Sequence, residues 1–437
     1  MFSKYSVLVT TMSLAAIAGI AVSPARGQTI DEALVSIDHP AIRYNQAPVT
    51  DRVSRVIQEM KSGKIKLTSR PDATGLLEGL LGTLAVNPDS QVMVFSKTSF
   101  QASRISPKNP RAIYFSDDVM VGYVRGSNLL EVADLDPKQG FVFYSFDQQA
   151  KPPRFDRRDV CLQCHESKGT LGIPGIMVAS VYPDADGMPA FRGAANLTDH
   201  RTRFEDRWGG WFVTGTHGEM RHLGNAVGHE PDHPEVLDIR DSLNLTSLAK
   251  KFDPAGYLTG SSDIVALMTL EHQTRMSNLL IRVGWQARVL EHDGKMQHDG
   301  KADGSGAARL NSDLDALVNY MLFAEEAPLD EKVQGVSTFT KTFAARGPRD
   351  SQGRSLRDFD LTTRLFKYPL SYMIYSEAFD NLPAQIRDQI YRRVFDVLSG
   401  KDQNPKFKRL SPRDRHAIAE ILRDTKPGLP PYWNTNL

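Results

Sequence analysis

The chain has 437 residues, of which 41% are hydrophobic and 24% charged, with 53 Lys and Arg against 52 Asp and Glu. The length suggests two or three domain-sized cores. The ordinary composition excludes a disordered or fibrous chain, and the charge balance excludes a general nucleic-acid binder, which would carry a basic excess. Only two cysteines are present, too few to staple so long a chain, so burial must hold the fold together.

Residues 1–27 read as a secretory signal. Lys4 supplies the positive n-region, Val7 to Val22 is an apolar run, and Ala25 and Gly27 place small residues before a cleavage ahead of Gln28. The apolar run is shorter than the roughly 20 residues a membrane-spanning helix needs, and Pro24 follows it. The expected location is a bacterial periplasm, with no integral membrane domain after cleavage.

From Ile30 to about Leu84 the pattern is mostly helical; within Asp51–Met60, Val53, Val56, Ile57 and Met60 mark one helix face. Asn87-Pro88-Asp89 breaks the chain. Between Gln91 and Phe146, short runs rich in Val, Ile, Tyr and Phe (QVMVFSK, RAIYFSD, VMVGYVRG, LLEVADLD, GFVFYSFD) alternate with turn residues and predict a small antiparallel sheet. A Pro- and charge-rich stretch, Lys151–Asp159, leads to the cysteines. Residues 166–260 are rich in Gly, Pro, Asp and His and predict a long loop-rich segment. Helices are expected over Asp263–Val283, Leu310–Ala324, Leu361–Ser376, Gln385–Leu398 and Pro412–Arg423, with a flexible hydrophilic insert at Glu291–Ala307. The expected fold class is α+β: a helix-plus-sheet part (28–155), a loop-rich segment (156–260) and a mainly helical C-terminal part (261–437) packed on it.

Cys161-Leu162-Gln163-Cys164-His165 is the C-x-x-C-H pattern of covalent haem attachment. Two thiols add across the two vinyl groups of one haem, and the following histidine is placed to ligate the iron. Random placement gives this spacing with a following His on the order of once in ten thousand chains. A thioredoxin-type dithiol requires a strand-led βαβ context, which KPPRFDRRDV does not supply, and a zinc knuckle requires a second ligand pair. The motif therefore predicts one covalent haem c on Cys161 and Cys164, with His165 as the proximal iron ligand.

Candidates for the opposite iron position are Met177, His200, His217, Met220, His222 and His272. In WGGWFVTGTHGEMRHLGN, aromatics and glycines suited to a flat macrocycle surround His217 and His222. His217 is the leading candidate, as distal ligand or distal acid/base, with His222 next. Met268, His272 and Met276 lie four apart on one helix face, a stripe that reads first as core. Glu271 reads as a proton relay or a solvated residue. His229, His233, His292 and His298 fall in polar loops and read as surface histidines.

The segments RISPKNPRAIYFSDDVMVGYVRG, CLQCHES, TDHRTRFEDRWGGWFVTGTHGEMRHLGN, SDIVALMTLEHQTRMSNLL and SYMIYSEAFDNLP resemble a family of exported bacterial cytochrome c domain-containing proteins. The resemblance covers most of the chain after about Gln91. It implies haem c on Cys161, Cys164 and His165 and an electron-transfer role, and it favours His217 over Met177 as the second iron ligand.

Two functions follow as expectations. One is a periplasmic monohaem cytochrome exchanging electrons with a periplasmic redox partner protein. The alternative is a haem enzyme, peroxidase- or oxidase-like, with His217 or His222 as acid/base and Arg207 and Arg221 stabilising developing negative charge. A haem sensor or assembly module is a third reading. Size is the objection to the first, because a carrier needs only about a hundred residues.

Overall fold

The computed structural model describes residues 35–72, 74–190, 196–230, 233, 235–297, 301 and 304–435. Residues 1–27, read above as a signal, and His298 lie outside the described residues. Helices α1 (Arg52–Lys61) and α2 (Leu77–Thr83) precede strands β1 (Val92–Val94), β2 (Arg111–Phe115), β3 (Val119–Val124), β4 (Leu129–Asp136), β5 (Gly140–Asp147) and β6 (Arg154–Arg157). A short helix α3 (Leu162–His165) carries the end of the cysteine motif, followed by β7 (Val178–Ser180), β8 (Asn196–Thr198) and β9 (Trp211–Phe212). Then come α4 (Ile264–His292), α5 (Gly304–Met321), α6 (Phe339–Ala345), α7 (Glu377–Asp380), α8 (Ala384–Leu398) and α9 (Pro412–Thr425). The fold is α+β, as the sequence predicts.

Among the described residues the main sheet runs β6-β5-β4-β3-β2-β1-β9 with antiparallel pairing throughout, and β7 pairs with β8 separately. The five apolar runs from Gln91 to Phe146 each contain a strand. Both faces of the sheet are covered, and the two-residue alternation of side chains divides them. Ala133, Leu135, Phe141 and Phe143 join the larger core with α4 and the C-terminal helices. Leu130, Val132, Val142, Tyr144 and Phe146 join a second core with α1, α2 and Leu248, Phe252 and Tyr257. Strands buried on both faces read as near-continuous apolar sequence, which is why GFVFYSF lacks polar alternation.

Helix α4 is the axis of the larger core. Most of its residues are buried on every side, including Glu271, His272 and Gln273, the condition of a helix inside a core rather than on its surface. Asp263 caps it, accepting from the Val265 and Ala266 amides. The same carboxylate accepts from Val336 and Ser337 amides at 2.8 Å, so one side chain ties the helix start to the chain before α6.

Several sequence expectations need correction. Residues 361–376 are not one helix: a Phe359–Phe366 bridge closes a turn and Tyr372–Tyr375 is a single 3₁₀ turn. Pro369 lacks the amide a helix interior uses. α4 continues to His292 and α5 begins at Gly304, so the hydrophilic insert is shorter than Glu291–Ala307. Glu271 is fully buried rather than solvated.

Candidate functional site

Residues Asp159–Cys161 form a 3₁₀ turn that runs directly into α3, so Cys161, Cys164 and His165 lie on one continuous turn. Both cysteines are free; Cys161 is half-buried and Cys164 exposed. Cys161 and Leu162 pack against the larger core, which leaves the turn anchored on one side and open on the other. Burial pushes the Cys161 thiol pKa up, with the Glu131 carboxylate adding to the effect.

His165 is held by its own loop. Its carbonyl accepts from the Gly175 amide at 2.9 Å and from the Thr170 hydroxyl at 3.1 Å. Its Nδ1 lies 2.9 Å from the Gly175 carbonyl oxygen. A carbonyl only accepts, so Nδ1 carries the proton and Nε2 carries the lone pair. The ring packs on Phe143 of β5, with centroids 4.9 Å apart. Burial lowers the His165 pKa, against the opposing Gly175 carbonyl, and this favours a neutral imidazole.

The loop after the turn is clamped from two directions. Leu171 and Gly172 adopt positive φ, 64° and 70°, which reverses the chain tightly. Arg282 of α4 donates to the Leu171 carbonyl at 2.8 Å and pairs with Asp313 at 2.7 Å. Asn278, one helical turn earlier, accepts from the Ile176 amide at 3.2 Å and donates to its carbonyl at 2.8 Å. The Phe141 amide donates to Pro174 at 2.9 Å. The acceptor that orients His165 is therefore fixed by α4 and β5 together.

Sequence reasoning missed the sheet's contribution. Strand register sets Gly122, Glu131 and Ser145 in one row, and Ala133 opposite Phe143 in the next. The face beside the His165 contact thus carries small side chains around one carboxylate. Glu131 pairs with Arg111 at 2.7 Å and accepts from Ser99 at 2.6 Å and Gln101 at 2.8 Å. Burial alone would raise the Glu131 pKa; Arg111, Ser99 and Gln101 outweigh it and hold the carboxylate ionised. Arg111 and Glu131 both act electrostatically on His165. The signal in the sequence is a charged residue on the core-facing positions of LLEVADLD and RAIYF.

The opposite-side candidates fall into three places. Met177 is half-buried, and its sulfur lies 2.7 Å from where a Cβ on Gly169 would stand, four residues beyond His165. His200 and His272 are buried elsewhere, Nδ1 to Nδ1 at 2.8 Å, with His272 Nε2 2.8 Å from the Ser371 hydroxyl. Tyr320 and Phe323 stack on this pair. Met268 and Met276 are core, as the stripe suggests.

His217 and His222 form a third cluster, ring centroids 4.9 Å apart, against Phe204 and Trp208. His217 Nε2 accepts the Asn244 amide at 3.1 Å, and its buried Nδ1 has no partner among the described residues. Met220 packs on the core beside them. Thr214 bridges to Asp263 at the start of α4, whereas the His165 loop is clamped at Asn278. These anchors are about 22 Å apart along the helix. Among the described residues neither His217 nor His222 shares a hydrogen bond or ring contact with Cys161, Cys164 or His165. Arg207 and Trp208 bind Glu271 at 3.2 and 2.9 Å in a buried network, and Arg221 is exposed. His229, His233 and His292 are exposed.

The donor set fits a covalently attached haem: two free thiols on one turn, and a following imidazole whose Nδ1 is committed as donor. Among the described residues no helix is long and apolar enough to cross a membrane. Comparison with known proteins returned no match to a family model, a curated protein or a solved structure.

Proposed function

We propose that the protein is an exported monohaem c-type cytochrome, carrying haem c on Cys161 and Cys164 with His165 as proximal ligand, and transferring electrons to a periplasmic protein partner. The observation that carries this reading is the His165 Nδ1–Gly175 carbonyl contact at 2.9 Å. Metal-ligating histidines nearly always commit their second nitrogen to such an acceptor, which fixes the tautomer and raises ligand basicity. When bound, the haem supplies a one-electron redox centre. The chain's own residues do the rest: the thiols hold it, Gly175 and Phe143 orient the imidazole, and Asn278 and Arg282 keep that loop still. Exposed Cys164 and Val160 set the turn at the surface, where a partner can approach.

The enzyme reading has one specific support. The Arg111–Glu131 pair places fixed charges beside the turn, groups that a simple carrier does not require.

Spectroscopy of the purified holoprotein with carbon monoxide and cyanide separates the two. Low-spin iron that ignores added ligands is the carrier outcome; high-spin iron that binds them supports the enzyme. Covalent haem staining on a denaturing gel tests the premise. Wild type is expected to stain and Cys161→Ser to lose most of the signal. Staining that survives Cys161→Ser and Cys164→Ser together overturns the proposal.

A further inference from the structure

A second site lies where the chain leaving α5 meets the turns at 361–369 and 405–410. A cavity of about 280 Å³ opens there, just below the roughly 300–1,000 Å³ typical of drug-sized ligand sites and enough for a smaller molecule. It shares no lining residue with the cysteine turn.

The lining has two chemistries. Leu322, Phe323, Phe407 and Leu410 are buried and apolar. Arg364, Lys406 and Arg409 supply positive charge. Arg364 is held by Asp414 of α9 at 2.8 Å, yet its buried Nε has no partner among the described residues. Arg409 donates one N–H to the Glu326 main-chain carbonyl, and the described residues give Lys406 no ion-pair partner.

Glu326 is the acidic group in the lining. It is buried, and one carboxyl oxygen accepts the Leu365 amide at 2.8 Å. Burial pushes its pKa up to about 7, against the Leu365 amide and the cations Arg207, Arg364 and Arg409. Near neutral pH this group is partly a neutral O–H donor, so Lys406 and Arg409 face no fixed opposing charge in the cavity lining. A bare phosphate would leave the apolar floor unused, and a neutral ring would leave Lys406 and Arg409 unpaired.

We propose that this cavity binds a small organic carboxylate, its apolar body on Phe323 and Phe407 and its carboxylate on Lys406 and Arg409. The Glu326 carboxyl, when protonated, donates to the same carboxylate. Binding then weakens as pH rises past the Glu326 titration, because two carboxylates repel. This site is independent of the haem reading.

Calorimetric titration of the full-length protein with benzoate, phenylacetate and hexanoate tests it, with benzyl alcohol as the neutral analogue. At least one carboxylate is expected to saturate a single site, with benzyl alcohol about tenfold weaker or silent. Lys406→Gln and Arg409→Gln are each expected to weaken binding about tenfold, as loss of a charged hydrogen bond does. Glu326→Gln is expected to flatten the fall in affinity between pH 6 and pH 8. Arg409→Gln also removes a main-chain contact, so its melting is checked, and Lys406→Gln decides the matter if that variant unfolds. The proposal is overturned if no carboxylate saturates, if benzyl alcohol matches benzoate, or if Lys406→Gln binds like wild type. A pH profile that survives Glu326→Gln overturns the role of that carboxyl.

Discussion

The Nδ1 of His165 and the carbonyl oxygen of Gly175 stand 2.9 Å apart, and the chain between them is the loop that α4 clamps. Gly175 packs so closely that an added Cβ would meet the Asn278 carboxamide and stand 3.0 Å from Thr170 Cβ. Gly175→Ala must therefore push the loop outward and lengthen the contact. Stability is expected to fall by roughly 1–3 kcal/mol in chemical denaturation, the range for overpacking. Under the haem proposal the reduction potential also rises, because an imidazole without its acceptor is a poorer electron donor to iron. An unchanged potential in the folded variant would count against His165 as ligand.

Asn278→Ala isolates the clamp. The substitution strips partners from the half-buried Ile176 amide and carbonyl, at a cost of about 1 kcal/mol, the low end for unsatisfied groups. Hydrogen exchange at residues 171–177 is expected to quicken while the rest of the sheet keeps its protection. Uniform quickening would mean that Asn278 supports the core rather than this loop.

His217 and His222 are knitted into a separate cluster. His217→Ala is expected to leave the Soret band of the holoprotein in place and lower stability by about 1–3 kcal/mol, since the Asn244 amide loses its acceptor. A shifted Soret band at unchanged stability would identify His217 as the distal ligand.

His222 gives a pH test. Burial, reinforced by His217, lowers its pKa from 6.5 to about 3. Between those values the unfolded chain holds a proton the native state lacks, so this group's contribution to stability rises with pH from about 3 to 6.5 and is flat above. His222→Gln is expected to remove about 1.4 kcal/mol per pH unit from the slope between about pH 4 and pH 6. Denaturant titrations at stepped pH read it directly; an unchanged slope would show that His222 titrates normally.

Some of this was legible without a structure. The spacing of Cys161, Cys164 and His165 is local, so the chain alone sets these groups on one turn. The strands from Gln91 to Phe146 were legible because short β-branched and aromatic runs bounded by turn residues are local signals as well. The break at 361–376 was not, because apolar content resembles a helix until tertiary contacts choose a bridge and a 3₁₀ turn.

Residues brought together across the chain belong only to the tertiary structure. Glu131 comes beside His165 through strand register and the Phe143 contact, and Asn278 reaches Ile176 across 102 residues. Likewise the packing of His217 and His222 on Phe204, Trp208 and Asn244 belongs to the fold and not to their local sequence. The reason is physical: composition states what a side chain can bind, and packing decides which partner arrives. The sequence by itself set Cys161, Cys164 and His165 on one turn, while α4 decided which loop that turn leans on.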